Sequence, residues 1–351
     1  MIKNIREFNV LDKRVLVRCD FNVPLDAQGD ISDDFRIKEA LLTIKYLIEN
    51  KAKVILMSHL GNPQGKVIPT LKLDKVGERL GDLLGVLIAK EDDCVGPSIK
   101  GHTQNLKGGE VLLLENLRFH KEEEAGNSEF GKKLSWLGDI YINDAFSACH
   151  RAHASIAEAP KHLLHGAGFL LLKELENLNK ILQNPEKPMV AVIGGKKVET
   201  KSLFIDKISE KADFVIISGL IKKEIIEKKI KLKYPEKIIA PFDSLDGLDI
   251  DQKTAEMFCE KISQAKTVVW NGPFGKFEEE QYSKGTFSIA KAIIESKAFS
   301  VVGGGETIEF LTKRNLVSKF SHVSTGGGAM LAYLSGEELP GLKALGGQTP
   351  Q

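Results

Sequence analysis

Short apolar runs alternate with longer stretches of helical period along the whole chain. The runs are Arg14–Arg18, Lys53–Ser58, Val111–Leu114 and Asp139–Asn143 in the first half. The second half offers Met189–Ile193, Phe214–Ser218, Lys237–Ala240, Thr267–Asn271, Ser300–Gly303 and Ser321–Ser324. Their apolar character is continuous and not alternating, which predicts strands covered on both faces by helices. The expected fold is therefore α/β, with parallel sheets. A length of 351 residues gives room for two such domains. After Pro160, Leu163–Leu182 reads as one long helix, with apolar residues at Leu171, Leu172, Leu175, Leu178 and Leu182. It serves as a packed edge helix, a connector between domains, or both. Lys222–Lys233 reads as a solvated lysine-rich face.

The exit of each run sharpens the picture, because ligands of such sheets bind beyond the carboxyl ends of the strands. The first-half runs lead into Arg18-Cys19-Asp20-Phe21-Asn22, Ser58-His59, Glu115-Asn116-Leu117-Arg118 and Asn143-Asp144. The second-half runs lead into Gly194-Gly195-Lys196-Lys197, Asn271-Gly272-Pro273, Gly303-Gly304-Gly305-Glu306 and Thr325-Gly326-Gly327-Gly328.

Composition removes several classes of function. Net charge is +1, so the whole-chain field does not draw in nucleic acid or an anionic membrane. No apolar run approaches membrane-spanning length, and the first residues lack a signal core. Four scattered cysteines, Cys19, Cys94, Cys149 and Cys259, suit reduced buried thiols and a cytoplasmic location. Nothing requires an oligomer, and a monomer is expected.

The two halves then offer different anion chemistry. Seven of the eight arginines lie within the first 151 residues. Arg18, Arg36, Arg118 and Arg151, with His59, His150 and His153, come from separate strand-exit segments that converge in a doubly wound sheet. Such a pocket of cations suits a small, multiply anionic molecule, since guanidinium forks grip phosphate and carboxylate in two-pronged fashion. Ordinary surface salt bridges are the plainer reading of any one arginine. Asp20 and Asn22 could accept hydrogen bonds from substrate hydroxyls. A metal at His150 and His153 lacks a third ligand at sensible spacing. In the second half, Gly194-Gly195 with Lys197 and Lys201, Gly303-Gly304-Gly305 and Gly326-Gly327-Gly328 are turns whose bare N–H groups can hold phosphates. A tight turn is the plainer reading of any one triplet. Glu306 offers an oxygen ligand of the kind Mg²⁺ prefers. Two anion sites on one chain suit transfer of a phosphoryl group between two bound partners.

These segments resemble, in order, those of the phosphoglycerate kinase family. The likeness rests on Arg14-Val-Leu-Val-Arg-Cys-Asp-Phe-Asn-Val-Pro24, Ser58-His-Leu-Gly61, Leu114-Glu-Asn-Leu-Arg-Phe119, Asn143-Asp-Ala-Phe146 and His150-Arg-Ala-His-Ala-Ser155. It continues through Gly194-Gly195 with Lys197, Trp270-Asn-Gly-Pro273, Gly303-Gly-Gly305 and Ser321-His-Val-Ser-Thr-Gly-Gly-Gly-Ala329, covering nearly the whole chain. The resemblance implies two Rossmann-like domains joined by a long helix and hinge. Residues 1–160 would bind 3-phosphoglycerate, 161–182 would form the interdomain helix and 183–335 would bind nucleotide. The tail, 336–351, would return to the first domain. It also implies Mg²⁺ with ATP or ADP, and closure that passes the γ-phosphoryl to the carboxylate or back from the acyl phosphate. By that likeness Asp20, Asn22, Arg36, His59, Arg118 and Arg151 hold the phosphoglycerate. Arg18 and Lys197 stabilise the transferring group, with the N–H groups of Gly304, Gly305, Gly327 and Gly328. Gly194, Gly195, Lys201, Gly219, Asn271, Glu278, Gly303 and Thr307 meet the nucleotide, and Glu306 meets the metal.

The chain also departs from that family. Asn62 stands where an arginine is common, Thr200 and Glu306 where aspartates are usual, and Lys196 where alanine is common. After Phe214–Gly219 the family's glycine-rich purine segment gives way to Leu220-Ile221-Lys222-Lys223, shortening the chain around 219–247. These departures keep two other functions open: a non-catalytic regulatory relative, and a kinase of another small carboxylate.

Overall fold

Val15-Leu16-Val17 and Val54-Ile55-Leu56-Met57 have no polar face to offer water, and all seven residues are fully buried. They become central strands of a parallel sheet, as their continuous apolar character requires. The computed structural model describes residues 2–195, 201–242 and 248–347. It divides into two compact units, Met1–Leu175 with Glu338–Thr349, and Glu176–Glu337.

The first unit contains β1 (Arg14–Arg18), α1 (Phe35–Glu49), β2 (Lys53–Met57), α2 (Asp74–Leu84), β3 (Ile88–Lys90), α3 (Pro97–Asn105) and β4 (Val111–Leu113). It continues with α4 (Lys121–Glu124), α5 (Ser128–Ser135), β5 (Ile140–Asn143), β6 (Leu164–Ala167) and the start of α6 (Phe169–Gln183). Its sheet runs β3-β4-β2-β1-β5-β6, entirely parallel. The strand order reverses between β1 and β5, where Arg18 pairs in register with Asn143. A doubly wound sheet opens its ligand crevice at that reversal.

The second unit contains β7 (Met189–Ile193), α7 (Ser202–Lys211), β8 (Phe214–Ile217), α8 (Gly219–Glu227), β9 (Ile238–Ile239), α9 (Gln252–Ser263) and β10 (Thr267–Asn271). Then come α10 (Lys284–Ser296), β11 (Phe299–Gly303), α11 (Gly305–Lys313), β12 (His322–Val323) and α12 (Gly327–Leu334). Its sheet runs β12-β11-β10-β7-β8-β9, again parallel, with the reversal between β7 and β10. There Asn271 pairs with Ile193. A last helix, α13 (Pro340–Lys343), belongs to the first unit. Gly341 N–H donates to Cys149 O at 2.9 Å, and Leu339, Leu342 and Leu345 are buried.

Two strands depart from the pattern of apolar runs. β3 is half-exposed along its length and lies at the sheet edge, so it carries no continuous apolar signal. The helix expected from Leu163 begins only at Phe169. Leu164-His165-Gly166-Ala167 forms β6 instead, pairing with β5 on one side. Ala167 N–H also donates to Lys3 O at 2.9 Å, so the N-terminal segment occupies the other side. Backbone pairing, not side-chain propensity, decides those four residues.

Asp144, just beyond β5, ties the sheet to α6. Its Oδ1 accepts from the N–H groups of Leu170 at 2.9 Å and Leu171 at 3.2 Å, satisfying donors that a helix start leaves over. Burial drives its carboxyl up to about 7, against hydrogen bonds from Thr43 and from Leu171 and Leu170 N–H. The folded value lies above the unfolded one, so the native state holds this proton more tightly. Stability from this group is complete below the unfolded value and is lost as pH rises through about 7. Asp144→Asn, which cannot titrate, should flatten that decline. Urea unfolding of both proteins across the mildly acidic to neutral range checks it, and identical slopes would contradict the assignment.

Candidate active site

At the β1–β5 reversal, Arg18 leaves its strand into a fully buried position. Its Nε donates to Ser155 Oγ at 2.8 Å, one terminal nitrogen donates to Cys19 O, and the other lies 3.3 Å from His59 Nδ1. Asp20, two residues on, accepts from Arg36 at the start of α1 and from the Ser147 hydroxyl. Asn22 Oδ1 accepts from Gly61 N–H at 2.8 Å, fixing the loop after β2. Arg118 donates to Gly61 O at 2.8 Å, while its Nε, 3.3 Å from Glu124, lacks a hydrogen bond of proper geometry. Arg151 is exposed and donates to His150 Nε2 at 3.2 Å.

Charge here is crowded, and the titrating groups register it. Burial holds His59 well below the usual imidazole range; Arg18, Arg118 and Arg151 push the same way, and Asp20 opposes them. His153 is lowered to about 3, by burial first and then by Arg18, Arg118 and Arg151. Burial and Arg151 lower His150 too. The sequence groups these histidines with the cations, but burial and the neighbouring arginines favour their uncharged form, and the arginines carry the positive charge. Burial raises the Asp20 carboxyl, yet Arg36 and the hydrogen bonds from the Ser147 hydroxyl and Asn22 N–H hold it well below the carboxylate range. It is therefore an anion that organises Arg36. Several guanidinium groups lie close enough to disfavour one another's charge, an arrangement suited to a small molecule bearing multiple negative charges.

The second unit solves the same problem with backbone. Gly194 and Gly195 cross to the β10 exit, where their N–H groups donate to Asn271 O at 2.9 Å and Pro273 O at 2.7 Å, so they brace the turn and are not the bare phosphate donors the sequence suggests. A Cβ on Gly194 would collide with the carbonyl oxygens of Gly272 and Pro273, so no other residue fits. Gly304, at φ +101°, caps α11, and Gly326 caps α12, neither helix having a side-chain cap. The two starts converge, a Cβ on Gly327 falling 3.7 Å from Gly304 Cα. The N–H groups of Gly305 and of Gly327 and Gly328 thus belong to two helix ends opening on one place, a natural phosphate cradle. Asn271, nearly buried, lies against Gly304, and Thr307 Oγ accepts from Gly272 N–H at 2.9 Å.

Lys201 at the head of α7 is buried and donates to Gly194 O. Burial lowers its ammonium to about 8, against the attraction of Glu306. Around Gly195 a cleft of about 350 Å³ opens, with Gly219, Leu220, Leu248, Phe277, Glu278 and Glu306 among its walls. Its volume suits a small organic ligand. The apolar part comes from the start of α8 and from Leu248 and Phe277, which stand where the sequence leaves the purine pocket open.

Arg18, Asp20, Asn22, Arg36, His59, Arg118 and Arg151 are brought together in the first unit by direct bonds and mutual electrostatics. Gly194, Gly195, Lys201, Asn271, Gly303 to Thr307, Gly327 and Gly328 gather in the second, with Gly219 and Glu278 on the cleft wall. Lys197, with Lys196 and Thr200, lies outside the described residues. Residues that sequence reasoning missed are Ser147, Ser155, Tyr141 and Glu123, which hold the arginines in place. Ser155 stands inside a matched segment without a role, and nothing in Glu122-Glu123-Glu124 marks the middle carboxylate as the buried one. Among the described residues Asp93, Cys94 and His120 offer donor atoms within 4.8 Å of one another. Those donors are already engaged: His120 with Asp93 at 2.5 Å, and the Cys94 thiol with Glu115 O at 2.9 Å.

Comparison with known proteins gives one consistent family and fold. A family model described as phosphoglycerate kinase matches residues 5–238 and 224–337. The phosphoglycerate kinase of Moorella thermoacetica is 42% identical, over 97% of this chain and 98% of its own. That of Dictyoglomus turgidum is 43% identical, over 98% of each. These alignments run over 386 and 390 positions, more than the 351 residues here, so the relatives carry residues this chain lacks. The family match comes in two pieces that overlap over 224–238, within and just after α8. Among solved structures, the Pyrococcus horikoshii phosphoglycerate kinase superposes with a TM-score of 0.89 at 32% identity, covering 99% of this chain and 98% of the other. The Coxiella burnetii enzyme gives 0.81 at 33% identity, covering 99% of each chain.

If the arginine cluster is an anion site, inorganic phosphate should stabilise the protein against heat. At 100 times its dissociation constant a ligand adds about 2.7 kcal/mol. Arg118→Gln should shrink the phosphate-induced rise in melting temperature. A rise of the same size in the variant would locate the binding elsewhere.

Proposed function

The chain belongs to the phosphoglycerate kinase family, and from that premise we propose how its own residues divide the transfer. It acts as a glycolytic phosphoglycerate kinase, exchanging a phosphoryl group between ATP and 3-phosphoglycerate. In this reading the first unit holds the phosphoglycerate. Arg36, Arg118, Arg151 and His59 take its phosphate and carboxylate, with Asp20 and Asn22 facing its hydroxyl. The observation that carries the reading is the convergence of four arginines and three neutral imidazoles at one strand reversal. A pocket so charged has no use for an apolar or cationic substrate.

The second unit holds the nucleotide. Gly194, Gly195 and Lys201 lie along its phosphates, while Gly219, Asn271, Gly303, Thr307 and Glu278 position the nucleoside part and the turn around it. Lys201, lowered to about 8 by burial, holds its proton more tightly when a phosphate arrives beside it. Mg²⁺ would fit the donor set, since Glu306 offers on the cleft wall a carboxylate oxygen of the kind the ion prefers. When bound, it would supply neutralisation of phosphate charge.

The phosphoglycerate carboxylate is already ionised, so the transfer needs no general base. It needs alignment and neutralisation of spread negative charge. Arg18 and Lys197 act on the transferring group, helped by the N–H groups of Gly304, Gly305, Gly327 and Gly328. Direct transfer also requires water to be excluded, which makes hinge closure part of the proposal. A monomer working in the cytoplasm completes it, in keeping with four free cysteines.

Coupled ATP formation from 1,3-bisphosphoglycerate tests the activity directly. Arg18→Ala and Lys197→Ala should each lower kcat about a hundredfold or more while changing phosphoglycerate binding far less. Equal losses in kcat and binding would contradict their roles. Because the family match divides beside the purine wall, selectivity among ATP, GTP and ITP should be weak. Strong discrimination in competition kinetics would count against that wall.

A further inference from the structure

Arg18 is the one arginine of its cluster that is wholly buried, and its orientation is fixed by a carboxylate it does not directly grip. That carboxylate is Glu123, the third residue of α4, also with no exposure. Its Oε1 accepts from the Ser155 hydroxyl at 2.5 Å, and its Oε2 accepts from Ser155 N–H at 2.9 Å. The nearest Arg18 nitrogen stands 4.0 Å away. On the other side of Ser155, the Tyr141 hydroxyl donates to its carbonyl at 2.8 Å. Ser155 is thus held from three directions.

A serine hydroxyl has a single proton. Glu123 takes it, so only lone pairs remain to face Arg18, whose Nε–H donates to them at 2.8 Å. The hydrogen-bond direction is therefore forced. Cys19 O holds one terminal nitrogen of the same guanidinium. With Nε and that nitrogen fixed, the remaining one is set 3.3 Å from His59 Nδ1 and 4.0 Å from Glu123. Glu123 also supplies a buried negative charge beside a buried cation that Arg118 and Arg151 would otherwise repel.

We propose that Glu123 is a positioning residue for phosphoryl transfer, acting through the Ser155 hydroxyl to aim the Arg18 guanidinium. This rests on the reading that Arg18 neutralises the transferring group. A carboxylate that only stabilised the fold would affect the melting temperature and both kinetic constants without regard to Arg18.

The experiment is a double-mutant cycle on the full chain with Mg-ATP and 3-phosphoglycerate. Glu123→Gln keeps the shape and loses the charge. It should lower kcat about ten- to a hundredfold, the scale of a misaimed catalytic group. KM for 3-phosphoglycerate should stay level or fall, because the pocket loses a negative charge. In an Arg18→Ala background, Glu123→Gln should cost less than about twofold more. Ser155→Ala should show the same split at smaller size, and it carries the test by the same criteria if Glu123→Gln does not fold. Wild-type kcat in Glu123→Gln, a loss explained by raised KM, or the same loss with and without Arg18 would overturn the proposal. Wild-type kcat in Arg18→Ala would overturn the reading of Arg18 instead, and the two failures are told apart within one data set.

Discussion

Gathering several guanidinium groups around one small pocket is unfavourable until an anion arrives, and the first unit is organised around managing that repulsion. Three devices do so. Asp20 stays ionised despite burial and fixes Arg36. Glu123 lies beside Arg18 and fixes it through Ser155. His59 and His153 remain neutral, so they line the pocket with polar nitrogens without adding charge. Neutralising every arginine with a carboxylate would have relaxed the repulsion and blocked the site. Arg118, whose Nε lacks a hydrogen bond of proper geometry, and exposed Arg151 are left with capacity for a ligand.

In the proposed division the second unit meets phosphate by other means, and the difference follows from the two substrates. A phosphoglycerate is small and rigid in its charge pattern, so directional side chains select it. A polyphosphate presents many equivalent oxygens, for which main-chain N–H groups at two helix starts are better suited. Gly194 permits the β7 exit to pass hard against the β10 exit, and Gly304 supplies the positive φ at which α11 begins. Replacing either would shift the backbone itself, whereas replacing an arginine removes one group and leaves its frame.

Legibility in the sequence followed the physics of each element. Central strands such as Met189–Ile193 and Thr267–Asn271 were readable to the residue, because burial on both faces leaves a continuous apolar run. Edge strand β6 was not, since Leu164-His165-Gly166-Ala167 is recruited by backbone groups of β5 and the N-terminal segment. Site residues at strand exits were readable because the α/β topology places them. Their supports were not: Glu123 shares its composition with Glu122 and Glu124, and only the turn of α4 buries it. The neutrality of His59, His150 and His153 also escaped, because a protonation state depends on neighbours that sequence separation hides.

The shortened segment beyond α8 bears on how much of a nucleotide site is needed. The cleft keeps Gly195, Glu306 and Lys201 together near the phosphate cradle, where the charge rearrangement of transfer takes place. Leu220, Leu248 and Phe277 supply apolar wall to the same cleft, beside Ser218, Asp249, Lys276 and Glu278. Contacts to the base are made equally in ground state and transition state, so losing them weakens binding and leaves the chemical step its help. Contacts to the moving phosphoryl strengthen as it moves, so losing those would slow the step itself. On the proposed reading, a chain shortened beside the base therefore gives up nucleotide affinity and identity before it gives up turnover.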